Sequence, residues 1–248
     1  MADYIEGKHP VIEALRTQVP LRELLIADNL ERDALLADIL QAAGQAGVAV
    51  KKVPRRELDR LSERGSHQGV MAVAKPFAYV SVQDILEAVE RHAAEHGGAA
   101  LVIVLDHITD AGNLGAVARS AEVVGASGII IPNRRSAHVT AATYKSSAGA
   151  IAHINVSQVA NIASTIERLK QNGFWVAGAS EQAEEAIWDA DLKGRIALVM
   201  GGESEGLARL TAQICDYLVS LPQAGKVGSL NVAQAATACM YEWMRQNR

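Results

Sequence analysis

Cysteine is nearly absent. The 248 residues hold two, Cys215 and Cys239. They form no CxxC pair, which excludes a disulfide framework and a thiolate zinc site and leaves two small core residues. Aromatic residues make up 4% of the chain. The core must therefore be filled by Ala, Val, Leu and Ile, which suits helices packed on a mostly parallel sheet. No apolar run reaches the ~18 residues of a membrane helix. The opening MADYIEGKHP lacks the basic-then-apolar order of a secretory leader, so a reducing cytoplasm is the expected home. Neither GxGxxG nor GxxxxGK[ST] occurs, which argues against dinucleotide binding and nucleotide hydrolysis. His92 and His96 have a helical metal spacing, but no third ligand accompanies them and no metal is expected.

Excess positive charge is lacking too. The formal net charge is −4, which argues mildly against a nucleic-acid partner, because phosphate binding is carried by Lys and Arg. One stretch runs the other way. Lys51, Lys52, Arg55, Arg56, Arg60 and Arg64 face only Glu57, Asp59 and Glu63. Such a cluster is either a solvated face or an RNA contact.

What is present is alternation of helix and strand. Residues 1–76 read as a small α/β unit. Its helices are expected at Lys8–Arg16, Leu30–Ala43 and Arg55–Leu61, and its strands at Leu24–Ala27, Val48–Val53 and Gly69–Ala74. Residues 77–98 form a connector with a helix from Val82 to His96, capped by Ser81. Residues 99–248 restart the pattern with continuous apolar strands at Leu101–Asp106, Gly128–Pro132, FWVAGA, Arg195–Gly202 and Asp216–Pro222, and a final helix from Val232. Strands separated by long helices predict a parallel sheet.

In open α/β sheets, ligands sit beyond the carboxyl ends of the strands. Three such ends carry glycine-containing polar loops: HITDAGNLGAVAR after Asp106, GGESEG after Met200 and QAGKVGSLNV after Pro222. Glycines there let a ligand approach the backbone. Taken singly, Asn113 could be an N-cap, Arg119 a surface charge and Glu203 a first-turn residue. Ser229 and Asn231 could be no more than a turn and a cap.

Together the loops resemble the motifs of the SpoU (TrmH-like) RNA ribose 2′-O-methyltransferases of the SPOUT superfamily. The first is Asn113-Leu-Gly115-Ala-Val-Ala-Arg119, the second Gly201-Gly202-Glu203 and the third Ser229-Leu230-Asn231-Val232. The N-terminal YIEGKHPVIEAL and His67-Gln68-Gly69 resemble the substrate-binding domain of the rRNA branch, so the likeness covers essentially the whole chain.

The resemblance implies a trefoil-knotted methyltransferase domain preceded by an L7Ae/L30e-like RNA-binding domain. It implies S-adenosylmethionine as cofactor, held near Gly178, Ala179, Gly201, Leu221 and Leu230. Asn113, Arg119, Glu203, Ser229 and Asn231 would form the catalytic cluster, with Arg119 stabilising developing alkoxide charge or meeting a phosphate. RNA would meet Lys51, Lys52, Arg55, Arg56, Arg134, Arg135 and Lys145. A homodimer is implied, with a guanosine of large-subunit rRNA as target. A tRNA target, or a non-catalytic RNA-binding assembly factor, are the alternatives.

Overall fold

The apolar run that ends in Asp106 is buried at all seven residues of its strand, and burial on both faces puts it at the middle of a sheet. A computed structural model describes residues 3–62, 65–95, 97–202, 206–226 and 228–248. Arg64, His96 and Glu203 therefore lie outside the described residues.

The N-terminal sheet contains β1 (Asp3–Glu6), β2 (Leu21–Ala27), β3 (Ala49–Val53) and β4 (Val70–Ala74), ordered β1-β4-β2-β3. β2 pairs parallel with β3 and antiparallel with β4. Helices α1 (Lys8–Arg16), α2 (Ala34–Gln45) and α3 (Arg55–Leu61) complete this part. Helix α2 begins four residues later than its apolar pattern predicts, because Asp33 caps it by accepting from the Leu36 N–H at 2.8 Å. It also runs through Gly44, which costs only about 1 kcal/mol. The turn comes at Gly47, where φ is +65°. Strand β1 has no counterpart in the sequence reading; four residues show too little alternation to declare it. His67 is buried, and its ring joins the Gly69 N–H to Asp59, a structural use.

Helix α4 (Val82–Glu95) leads to the second sheet, which is parallel at every pairing. Its strands are β5 (Ala100–Asp106), β6 (Gly128–Pro132), β7 (Val156–Val159), β8 (Trp175–Ala179), β9 (Arg195–Gly201) and β10 (Tyr217–Val219), ordered β10-β8-β9-β5-β6-β7. Strand β7 is a further element the sequence reading lacks. Between the strands lie α5 (Ala111–Val123), α6 (Ala141–Ser146), α7 (Ile162–Gln171) and α8 (Arg209–Ile214), and α9 (Val232–Gln246) follows β10. β5 and β9 run side by side along their whole length, with Asp106 opposite Gly201. One apolar cluster is continuous from Ile12 and Leu15 of α1 to Tyr144 of α6 and Leu114 of α5, so the two sheets share a core.

Candidate active site

Two helix starts meet at the carboxyl end of the second sheet. Asp110 caps α5, its Oδ1 accepting from the Asn113 N–H at 2.7 Å. Asn231 caps α9 through Oδ1, which accepts from the Ala233 N–H at 3.0 Å, while its Nδ2 donates to Asn113 Oδ1 at 2.9 Å. Seven and six residues further on, Ser120 and Thr237 share a hydroxyl hydrogen bond of 2.7 Å. The two helices therefore run parallel. The closeness of α5 to its other neighbour, α6, depends on Gly115. A Cβ there would fall 2.0 Å from Ser146 Oγ and 2.5 Å from Thr143 O.

Arg119 is not beside Asn113. Six helical residues turn the chain by about 600° and advance it ~9 Å, so the two side chains leave α5 on different faces. Arg119 is exposed and makes no hydrogen bond or ion pair with the described residues. Ser229 is exposed before the α9 cap.

The glycines after β9 form a tight hairpin. Gly202 and Gly206 exchange backbone hydrogen bonds of 3.1 and 2.9 Å. A Cβ on Gly201 would lie 2.1 Å from the Gly206 carbonyl carbon and 2.3 Å from the Leu207 nitrogen. No side chain fits there. The hairpin is tied to β5 by Asp106, which the sequence reading treats only as a strand end. Asp106 is 1% exposed. Its Oδ2 accepts from the Ala208 N–H at 3.0 Å and its Oδ1 meets His107 Nδ1 at 2.5 Å. A carboxylate closing a wholly apolar run was the available signal, since buried charge has to be paired. His107 holds φ at +60°, a conformation uncommon outside glycine.

Beside the hairpin is a cavity of about 620 Å³, within the size range of small-molecule sites. Ala179, Gly201, Leu221 and Leu230 line it. Gly178 does not. It is packed behind the wall, where a Cβ would fall within 3 Å of Leu218, Cys215 and Leu207 side-chain atoms. Glu181, Gln182, Arg209 and Gln223 supply polar groups that the motifs did not indicate. Leu230 and Val232 both line the cavity; Asn231 lies between them in sequence, and neither it nor Asn113 is part of the lining. An apolar wall, a glycine cradle and charges of both signs fit a zwitterionic nucleoside. Burial raises the Cys215 and Cys239 thiols to about 12, so neither is a ready nucleophile.

Lys51 and Lys52 are exposed on β3, the edge of the N-terminal sheet, with Arg55 and Arg56 exposed on the first turn of α3. Arg134 and Arg135 are exposed after β6, on the same sheet end as the site loops, and Lys145 is exposed on α6. Among the described residues no group of His, Cys, Asp or Glu could hold a metal, and no helix is long and apolar enough to cross a membrane.

The parallel sheet, the glycine hairpin over a cavity and the paired helix caps define an α/β enzyme with a small-molecule site at its strand ends. Residues 100–241 match the SpoU rRNA Methylase family, and residues 4–80 match RNA 2′-O ribose methyltransferase substrate binding. The chain belongs to the SpoU methylase family of RNA methyltransferases. A putative TrmH family tRNA/rRNA methyltransferase of Bacillus subtilis, YacO, is 39% identical over 98% of this chain and 96% of its own length. An uncharacterized tRNA/rRNA methyltransferase of Mycobacterium sp. (strain KMS) is 37% identical over 99% of this chain and 77% of its own. Among solved structures, the SpoU methyltransferase AviRb of Streptomyces viridochromogenes, in complex with AdoMet, superposes with a TM-score of 0.70 at 27% identity, covering 99% of this chain and 90% of that one.

Proposed function

We infer that this protein transfers a methyl group from S-adenosylmethionine to a ribose 2′-hydroxyl, and that the target is a guanosine of large-subunit rRNA. The observation that carries this reading is the Asn113–Asn231 hydrogen bond, made by the residue that lies in sequence between cavity-lining Leu230 and Val232. Two paired amides this near the cavity lining in sequence support a ribose held next to a small cofactor. The AviRb complex with AdoMet supports the choice of cofactor.

S-adenosylmethionine supplies a methyl group already activated by its sulfonium charge. The protein must align the 2′-oxygen with that methyl and ease loss of the hydroxyl proton. Asn113 and Asn231 orient the ribose, with Ser229 beside them. Leu221, Leu230, Ala179 and Gly201 would hold the cofactor, the leucines by apolar contact and the other two through backbone groups. Arg119 brings a planar guanidinium with five N–H donors. It meets the RNA phosphate or the oxygen as negative charge develops, and Glu203 orients it.

Arg119 points away from Asn113 of its own chain, so we place it against the Asn113–Asn231 pair of a second copy. Val123 on α5 and Tyr241 on α9 are 58% and 45% exposed. The parallel pairing of these helices puts them on neighbouring turns, a face suited to an isologous dimer. In the same reading residues 1–76 form the L7Ae/L30e-like RNA-holding unit, 77–98 the connector and 99–248 the knotted catalytic domain. Lys51, Lys52, Arg55, Arg56, Arg134, Arg135 and Lys145 contact phosphates, in the cytoplasm.

The test is transfer of labelled methyl to unmodified large-subunit rRNA and, separately, to bulk tRNA, with mapping of the 2′-O-methyl nucleoside. Methylguanosine at one rRNA position supports the reading. Label in tRNA, which the tRNA/rRNA naming of the Bacillus relative keeps open, overturns the substrate. No label in either, from protein that binds RNA, favours an assembly factor. Arg119→Ala should abolish transfer while RNA binding persists. Mixing Arg119→Ala with Asn231→Ala protein should restore part of the activity if the two residues act across a dimer.

A further inference from the structure

A second cavity, of about 440 Å³, lies away from the first, between α1 and α6. Small side chains leave the space: Ala14 on one wall, Ala141 and Ala142 on the other, over a floor of Ile5 and Ile12. Three basic side chains, His9, Arg16 and Lys145, stand on its rim against one carboxylate, Glu13. All three are exposed and have no ion pair or hydrogen bond with the described residues. Their neighbour Lys8, by contrast, is paired with Asp33. In a chain of net charge −4, an apolar slot with an unpaired basic rim is matched to a ligand that is flat and apolar on one side and anionic on the other.

The slot is mechanically joined to the site. Helix α6 forms its wall and also packs on the first-motif helix at Gly115. Ser146 Oγ reaches Ala111 O at 3.5 Å, two residues from Asn113. On the other side, the wall is α1 of the N-terminal unit.

We propose that the slot between α1 and α6 binds an RNA nucleotide next to the methylated one, its base on the Ile12–Ala142 surface and its phosphate on Arg16 and Lys145. This rests on the RNA-methylation reading above. An aliphatic slot accepts any base, so the contact fixes the path of the strand rather than its sequence, as in single-strand binding generally.

The experiment uses the full-length protein and an unmodified large-subunit rRNA transcript. Ala142→Trp fills the slot without touching a charge, and Ala142→Leu fills it partly. Arg16→Ala combined with Lys145→Ala removes the charge without filling it. Each is measured for RNA KM, kcat, S-adenosylmethionine Kd by calorimetry and transcript Kd against salt. The proposal expects RNA KM to rise roughly tenfold or more in the filled and the charge variants, and less with Leu. The double variant should also lose one to two units of salt slope, about 0.7 per phosphate contact. Cofactor Kd should stay near wild type throughout, and kcat should stay near wild type in Ala142→Leu. Wild-type KM in the Ala142→Trp protein, with the double variant impaired, overturns the slot and leaves a general positive field. Loss of cofactor binding in both Ala142 variants overturns it as well, in favour of a structural effect. If the wild-type protein binds the transcript but transfers no methyl, the reading of its function fails instead, and transcript Kd in the Ala142 variants still decides the slot.

Discussion

Asn231 donates its side-chain amide to the Asn113 side-chain oxygen across a sequence separation of 118 residues. Each residue also takes part in a helix start: Asn231 accepts from Ala233 and Asn113 donates to Asp110. One contact therefore fixes the relative position of two helix N-termini.

Replacement of Asn231 separates cap from site. Asn231→Ala loses the cap, worth about 1 kcal/mol, and the contact to Asn113. Asn231→Asp keeps a capping oxygen but has no amide to donate. The Asp protein should melt near the wild-type temperature while methyl transfer falls by about 10² or more. Stability lost only in the Ala protein, with activity retained in Asp, would make this residue a cap alone.

Gly115→Ala should destabilise the protein by roughly 1–3 kcal/mol, the usual range for overpacking. The new Cβ would meet the Thr143 carbonyl at 2.5 Å, and backbone cannot rotate away as a side chain can. Denaturant midpoints against wild type measure this, and a midpoint shift near zero would show that α6 yields.

Asp106→Ala leaves the Ala208 N–H without its acceptor, at a cost of about 1–3 kcal/mol, and frees the hairpin beside the cavity. S-adenosylmethionine affinity should fall at least tenfold by calorimetry. Asp106→Asn, which retains an acceptor, should fall less. Equal affinities in wild type and Asp106→Ala would mean that the hairpin holds itself.

Alkaline pH should weaken the fold through its thiols. Burial raises Cys215 and Cys239 from 9.0 to about 12. Between those values the folded state holds protons that the unfolded state has released. The stabilisation is thus complete below pH 9 and is lost as pH rises towards 12. Each thiol contributes about 1.4 kcal/mol per pH unit in that window. Urea midpoints at pH 8 and pH 10 check the slope, which Cys239→Ala should make shallower.

Legibility followed burial and periodicity. The apolar runs of β5, β6 and β9 and the cap at Ser81, which accepts from the Asp84 N–H, mark elements directly, because both faces of a central strand are apolar and caps are local chemistry. Strands β1 and β7 escaped, being four residues each and stabilised by pairing partners far along the chain. Gly44 misled, since a helix with a packed face tolerates it.

The sequence by itself determined the family, through three loops in order, and the parallel sheet that presents them. It also named Asn113, Gly201 and Asn231, because chemistry at a strand end needs particular residue types. Only the tertiary structure decided who touches whom. Asp106 with Ala208 and Asn231 with Asn113 are contacts over 102 and 118 residues. Arg119 and Asn113 lie six apart in sequence yet on different faces of one helix. The slot beneath Arg16 and Lys145 exists only where two units meet. Spacing along a chain fixes what a local segment can form; packing fixes which side chains share a site.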